Sequence, residues 1–214
     1  MNPIYKRSFT LVELIMAIIL LSIITLGLSS LDVFSRVQVF SADRRTQLQQ
    51  EGALIMAHIG RHVSGAIGNE FVTGADTVVQ TTLNPNFRQI NIFVDNAADV
   101  NNKGRYDLAT DMWTSYRWDL GNGPNAYHLR YCGQCFNQNC NFNQCVTAVE
   151  VLGIRVSNFN FIVQKNAGQL TSNAIDFTLT ECWDPDGNPI ACGDSHNPSF
   201  TIQNTAVMPS VSTN

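Results

Sequence analysis

The sequence has few charged residues. They make up 14% of the 214 residues, against about 25% in an average soluble domain. Only three lysines occur, and the net charge is −4. Proteins that bind nucleic acids carry a basic stripe, so we predict no nucleic-acid partner. Disorder is also disfavoured, because 44% of the residues are hydrophobic and the charge is low. The length fits one domain of ordinary size.

The sequence also lacks the motifs of common enzymes. It contains no phosphate-binding loop, no Gly-x-Ser-x-Gly and no His-Glu-x-x-His. Asp194, Ser195 and His196 are adjacent in the chain, whereas a catalytic triad is assembled by the fold. We therefore predict that the protein is not an enzyme. An extracellular enzyme anchored by one helix stays open as an alternative, which only a pocket with converging titratable groups would support.

One long apolar segment is present. Residues 9–31 hold a single charged residue, Glu13, and about 20 helical residues cross the hydrocarbon core of a bilayer. Lys6 and Arg7 precede the segment, so residues 1–8 are predicted to face the cytoplasm and the rest of the chain the outside. A cleaved secretory signal has a shorter apolar core followed by a small-x-small site. Neither feature is present, so we predict that the segment is retained.

Glu13 is unusual in this segment. A carboxylate at membrane depth costs about 2.5–3.5 kcal/mol, so it usually has a partner. No basic residue lies within helical reach downstream. Two interpretations are open: a tolerated charge near the membrane edge, or a carboxylate whose partner is a positive charge on another molecule.

Residues 6–14, Lys-Arg-Ser-Phe-Thr-Leu-Val-Glu-Leu, resemble the class III signal of type IV pilins and type II secretion pseudopilins. The resemblance implies that a prepilin peptidase cleaves the leader, residues 1–8, between Ser8 and Phe9, and that the new Phe9 amine is N-methylated. It also implies that Glu13 pairs with the Phe9 amine of a neighbouring subunit. The family usually has Gly where this chain has Ser8, and major pilins often have a helix-bending Pro where it has Ser30.

The size and layout of the chain resemble the larger minor subunits of this superfamily, such as the J pseudopilin and W minor-pilin groups. The resemblance implies a structural subunit of a type IV pilus-like or type II secretion filament, acting in assembly initiation or at the tip. Its partners would be other pilin or pseudopilin subunits and the prepilin peptidase. It would lie in the inner membrane as a precursor, with its head outside the cytoplasm, and then in a periplasmic or cell-surface filament. The alternative is an adhesin or ligand-binding module displayed on a filament, which a surface cluster of aromatic residues around the Cys132–Cys145 loop would favour.

The sequence predicts one helix over residues 9–66. Residues 32–66 contain no proline, and the first half of the helix is the membrane segment. In the second half an apolar stripe recurs at spacings of four or seven, which predicts an amphipathic helix packed on a sheet. The residues of the stripe are Leu48, Ile55, Ile59, Val63 and Ile67.

The chain beyond the helix, residues 67–214, predicts a β-rich head. Apolar and β-branched runs are separated by Gly and Asn, and no helical pattern lies between the later strands, so their connections are predicted to be antiparallel. The fold class is therefore α+β, a long helix packed on an antiparallel sheet, and the resemblance implies the lollipop shape of a pilin. The predicted strands are residues 89–94, 115–119, 127–131, 146–152, 154–163, 175–179 and 200–207.

The six cysteines occur late in the chain. Four of them within fourteen residues are also seen in zinc and iron–sulfur sites. We favour disulfides, because the predicted topology puts all six outside the cytoplasm, where thiols oxidise. Sequence alone does not choose among the pairings; we prefer that the first four pair among themselves and the last two with each other. The cysteines are Cys132, Cys135, Cys140, Cys145, Cys182 and Cys192.

Two turns carry partial sets of calcium ligands. Both patterns are also typical of tight turns without a metal. We therefore predict no cofactor, with calcium as the alternative at these turns. The first set is Asp99, Asn101 and Asp107, and the second is Asp184, Asp186 and Asn188.

His58 and His62 are four residues apart on the predicted helix, which is a metal-ligand spacing. No third ligand follows from the sequence, so we interpret them as two polar residues on a helix face.

Overall fold

The computed structural model describes residues 10–69, 79–94, 112–120, 126–135, 140, 142–166, 169–186 and 191–212. One long helix precedes a series of β-strands, which confirms the predicted α+β class. The elements are α1 (Leu11–Ser64), β1 (Ile67–Asn69), β2 (Val79–Asn84), β3 (Phe87–Val94), β4 (Met112–Asp119), β5 (Leu129–Cys135), a 3-10 turn (Phe142–Gln144), β6 (Glu150–Gly153), β7 (Val156–Asn166), β8 (Gln169–Cys182), β9 (Ser199–Val207) and β10 (Ser210–Ser212).

The chain divides into two units, Met1–Asp43 and Arg44–Asn214. In the first unit α1 is long and apolar enough to cross a membrane, and its large apolar side chains, from Leu11 to Phe40, are exposed. The hydroxyls of Ser22 and Ser29 each donate to the carbonyl four residues earlier, at 2.8 Å. Ser30 donates to the Gly27 carbonyl at 3.0 Å. The helix thus satisfies these hydroxyls itself, as apolar surroundings require.

In the second unit α1 buries the predicted stripe as far as Val63; Ile67, which the prediction placed on the helix, lies in β1 because the helix ends at Ser64. Leu48, Ile55, Ile59 and Val63 are at most 3% exposed, because the residues at these spacings share one face of a helix. The helix ends at Ser64, where the amides of Gly65 and Ala66 donate to carbonyls three residues earlier. Such tighter turns commonly close a helix.

Two antiparallel sheets form most of the second unit. One has the order β2-β3-β4-β5-β6, and the other β7-β8-β9. The expectation of antiparallel pairing is wrong for the third sheet, in which β1 pairs with β10 in parallel. Parallel neighbours need a long connection. Here almost the whole head joins the two strands, so no crossover helix is needed.

Several strand boundaries differ from those predicted. The strand predicted from residue 127 begins at Leu129, because Tyr127 has a positive φ of 61° and lies in a turn. The strand predicted at 175–179 extends over Gln169–Cys182, since β7 and β9 continue to pair with it. β1 and β10 were not predicted because they are short, and β2 because its sequence, VQTTLN, has little alternation.

Gly153 allows β6 to approach α1 closely. A Cβ at this position would lie 2.8 Å from Ile55 Cδ1 and 3.2 Å from Val156 Cγ2, and both side chains are buried. By contrast, a Cβ at Gly60 of α1 would meet only the Asn204 Nδ2, at 4.0 Å. The close contact between β6 and α1 therefore requires glycine at position 153, whereas no contact of this kind requires it at position 60.

These contacts predict opposite effects for two Gly→Ala substitutions. Gly153→Ala overpacks the contact with Ile55 and should destabilise the protein by about 1–3 kcal/mol. Gly60→Ala should stabilise it by up to about 1 kcal/mol, because alanine is the better helix former. Thermal unfolding of the full chain in detergent measures both. Equal shifts of the same sign would contradict the proposed role of Gly153.

Candidate functional site

Glu13 forms a capping box at the start of α1. Its Oε2 accepts hydrogen bonds from the Thr10 amide at 2.9 Å and from the Thr10 hydroxyl at 3.0 Å, and its own amide donates to Thr10 Oγ1 at 3.4 Å. This arrangement satisfies amides that a helix start leaves without partners. Thr10-x-x-Glu13 is the sequence signature of such a box, which our sequence analysis missed.

No opposite charge accompanies Glu13 in the described part of the chain. Its partners there are neutral groups of Thr10, and the carboxylate is exposed. The side chain is therefore fixed in direction, and within residues 10–69 no cation compensates its charge. Ser8 and Phe9 lie outside the described residues, so cleavage between them and methylation of Phe9 stay predictions.

All six cysteines are paired in the structure. The bonds join Cys132 to Cys145, Cys135 to Cys140 and Cys182 to Cys192. The sulfurs of Cys132, Cys135 and Cys140 lie close enough together to hold a metal ion, but no cysteine is free. The zinc and iron–sulfur alternatives need thiolates, which these disulfides do not supply.

Buried amides hold the first disulfide loop on the five-stranded sheet. The Gln89 Nε2 donates to the carbonyl of Cys140 at 2.7 Å and to Asn91 Oδ1 at 2.8 Å. The Ser115 hydroxyl donates to the same Asn91 oxygen at 2.6 Å. Gln89, Asn91 and Ser115 are all buried. Because a buried amide is costly unless paired, this network fixes the position of the loop on β3 and β4.

Next to this network an aromatic and charged cluster covers the same face. Asp119 pairs with Arg117 at 2.9 Å and with Arg130 at 2.7 Å. The Arg117 guanidinium lies 3.9 Å from the centre of the Phe87 ring, and that of Arg130 lies 5.2 Å from the Phe142 ring. Phe142 itself is buried, so the ring stabilises the loop and is not available to a ligand.

The second disulfide loop is held by Asn197. Its Oδ1 accepts from the Asp184 amide and its Nδ2 donates to the Asp184 carbonyl, both at 2.8 Å, and the side chain is 2% exposed. Trp183 of this loop lies between two guanidiniums, with Arg44 at 5.0 Å and Arg155 at 4.1 Å from its ring centre. Arg44 comes from α1, so these contacts connect the loop to the helix.

The structure bears on only part of the calcium prediction. The carboxylates of Asp184 and Asp186 are exposed on a turn, and Asp184 is held through its backbone. Asp99, Asn101, Asp107 and Asn188 lie outside the described residues. Calcium at either turn stays a prediction.

His58 and His62 pack against two tyrosines. The His58 Nδ1 lies 3.1 Å from the Tyr116 hydroxyl, and the His62 Nε2 lies 3.3 Å from the Tyr131 hydroxyl. Burial lowers the pKa of both imidazoles; that of His62, where the charges of His58 and Arg61 add to the effect, falls to about 4. Both rings are thus neutral at neutral pH. In the described residues neither belongs to a set of three metal ligands, and the pair joins α1 to β4 and β5.

Asp194, Ser195 and His196 do not form a relay. The Ser195 hydroxyl lies 3.2 Å from His196 Nδ1, and Asp194 Oδ1 lies 3.4 Å from the same nitrogen. A triad needs the two partners on different ring nitrogens. The three residues are exposed and make a turn.

Comparison with known proteins identifies the N-terminal segment. Residues 5–29 match the family model described as the prokaryotic N-terminal methylation motif. No curated protein and no solved structure matches the chain. The match supports a class III prepilin signal and indicates a type IV pilin- or pseudopilin-like precursor. With the exposed apolar part of α1, this motif fits a membrane-anchored precursor and suggests a structural subunit rather than an enzyme. The motif also implies processing by a prepilin peptidase and assembly with other pilins.

The packing of His62 predicts a loss of stability in acid. In the unfolded chain the imidazole binds a proton near its ordinary pKa of 6.5, whereas in the folded chain it does so only near 4. The unfolded state thus binds more protons between these values, and stability falls as the pH drops through this window. His62→Phe, which keeps an aromatic ring, should reduce the fall in melting temperature between pH 7 and pH 4.

His196→Gln is the control, because this histidine lies on an exposed turn. A His62→Phe variant that loses as much stability in acid as the wild type would show that the acid sensitivity arises elsewhere.

Proposed function

We propose that the protein is a minor pilin or minor pseudopilin, a structural subunit of a type IV pilus-like or type II secretion filament. The observation that carries the proposal is the methylation motif at residues 5–29, which includes the start of a helix whose large apolar side chains up to Phe40 are exposed, apart from the half-buried Val37. In this proposal the uncovered surface lies first in the inner membrane and then among the helices of other subunits.

The topology of the precursor follows from this proposal. Residues 1–8 face the cytoplasm, because positive residues are retained there, and the head lies outside it. Three disulfides in the head support this orientation, since thiols oxidise and stay oxidised outside the cytoplasm. The mature filament then lies in the periplasm or at the cell surface.

A role in assembly initiation or at the tip suits the head. This role is supported by the resemblance of the chain, in size and layout, to the larger minor subunits of the superfamily. The adhesin alternative receives no support from the described residues: Trp113, Trp118 and Phe142 are all at most 5% exposed, so they form no aromatic surface around the first loop.

The proposal predicts the mature N-terminus. When the chain is produced together with a prepilin peptidase and its methyltransferase activity, the mature protein should begin at Phe9 and carry one N-methyl group. Intact mass and sequencing of the N-terminal peptide measure both. Ser8→Gly, which restores the residue usual at this position, is the control for cleavage. A mature protein that begins beyond Leu31 would be an ordinary secreted protein and would overturn the proposal.

The capping box makes a sharp test of Glu13 possible. Glutamine also completes a capping box, so Glu13→Gln keeps the cap and removes only the charge. If the charge pairs with a Phe9 amine, Glu13→Gln and Glu13→Leu should both stay in the membrane and both fail to enter filaments. Thr10→Ala, which weakens the cap and keeps the charge, should still enter them. The measurement is the ratio of subunit in sheared filaments to subunit in membranes.

Normal incorporation of Glu13→Gln together with failure of Thr10→Ala would assign Glu13 to helix capping alone.

A further inference from the structure

Glu181 is a buried acid whose nearest backbone donor among the described residues, the amide of Gly52, is not aligned well enough for a regular hydrogen bond. It lies in β8 and is 0% exposed, and neither carboxyl oxygen has a hydrogen-bond partner in the described part of the chain. The alternation of Ile175, Phe177 and Leu179 places residue 181 on the inward face of the strand. An apolar residue would fit this position, and a buried carboxyl without good hydrogen bonds destabilises the folded protein relative to it.

The carboxyl lies directly against the backbone of α1. A Cβ at Gly52 would lie 2.8 Å from Glu181 Oε2 and 3.7 Å from Ile202 Cγ2 of β9. Only glycine leaves this space, so the helix and β8 are in contact at residue 52. If the carboxyl takes up water, the space between β8 and Gly52 must widen, and the contact between strand and helix is weakened.

Two charged groups face Glu181. Glu51 of α1 is a like charge, and Arg155, between β6 and β7, is an opposite one. Arg155 is engaged elsewhere: its Nη1 lies 3.9 Å from Glu51 Oε2, and its guanidinium lies on the Trp183 ring at 4.1 Å. From β9 the neighbour is the apolar Ile202. Ionisation of Glu181 would therefore put a second negative charge beside Glu51 with one shared cation.

The acid is neutral over a wide pH range. Burial, together with the charge of Glu51, raises the pKa of Glu181 to about 8, and Arg155 and the backbone amide of Gly52 oppose this only in part. At neutral pH the buried group is thus a carboxylic acid, which is far less costly to bury than a carboxylate.

We propose that Glu181 is a proton-operated latch: its neutral form lets β8 lie against Gly52 of α1, and its ionisation loosens this contact and the disulfide loop that follows. Cys182 comes next in the chain, and Trp183 of its loop packs on Arg155 and Arg44. The latch thus acts where helix, strand and loop meet. If the head faces the outside, as the proposed function has it, the latch responds to the pH of the surroundings.

The latch predicts that stability falls as the pH rises. Between the ordinary pKa of 4.5 and the folded pKa of about 8, the folded state binds more protons than the unfolded state, so stability decreases with pH. The melting temperature of the purified full-length precursor in detergent should fall by about 3 °C or more between pH 7 and pH 9, a range that lies above the window in which His62 titrates. Glu181→Gln, which is neutral and of the same shape, should remove most of this fall and melt higher than the wild type at pH 9.

Two further variants locate the effect. Glu51→Gln should reduce the fall, because it removes the like charge, and Glu150→Gln, an exposed glutamate of β6, should leave it unchanged. A melting temperature that is constant from pH 7 to pH 9, or a fall that persists in Glu181→Gln, would overturn the latch.

A spectroscopic readout covers the case in which a variant does not fold. Infrared difference spectra of the wild-type precursor should show the C=O stretch of a protonated carboxyl at pH 7 that disappears above about pH 8. Its absence at pH 7 would also overturn the latch. The precursor is used uncleaved, so failure of the latch and failure of processing or assembly are separate results.

Discussion

The burial of one face of α1 organises the second unit. Residues of both antiparallel sheets lie on this face: Tyr116 and Tyr131 of the five-stranded sheet meet His58 and His62, and Glu181 of the three-stranded sheet meets Gly52. Neither sheet covers the apolar stripe alone. The helix thus helps to hold the two sheets together, in addition to direct bonds between them, such as that from Trp118 Nε1 to the Val156 carbonyl at 2.9 Å.

The head compensates for its few charges with amides and cross-links. Gln89 and Asn91 hold one disulfide loop and Asn197 the other, each from a buried position. A cross-link that closes a loop of about 15 residues contributes roughly 3 kcal/mol in the chain-entropy model. The buried amides also fix the orientation of the loops, because each amide must meet its hydrogen-bond partners with good geometry. Some of the 22 asparagines, such as Asn91 and Asn197, therefore have specific structural roles.

Patterns with a regular period were predictable from the sequence, and features that depend on distant neighbours were not. The stripe from Leu48 to Val63 follows from helical periodicity alone, as the membrane segment follows from its length. The parallel pairing of β1 with β10 was not predictable, because it brings together the two ends of the head. The burial of Glu181 could have been predicted, because the alternation of Ile175, Phe177 and Leu179, continued by one step, places residue 181 on the buried face of the strand. Its contact with Gly52 of α1 could not be predicted from the sequence, because the two residues are far apart in the chain.

The two parts of α1, before and after the boundary between Asp43 and Arg44, are in different surroundings. After Arg44 the helix has one apolar face and two sheets to cover it. Before Asp43 apolar side chains are exposed all around, and the hydroxyls of Ser22, Ser29 and Ser30 bond to the helix's own carbonyls. A surface of this kind needs an apolar environment of lipid or of other helices, since water would be in contact with more apolar area than soluble proteins expose. Such a surface has no preferred register along its axis, because its contacts are apolar and alike. The carboxylate of Glu13, held in direction by Thr10, is the one charged group of α1 ahead of Asp32, and in the proposed filament it is therefore the group that we expect to set the register between neighbouring helices.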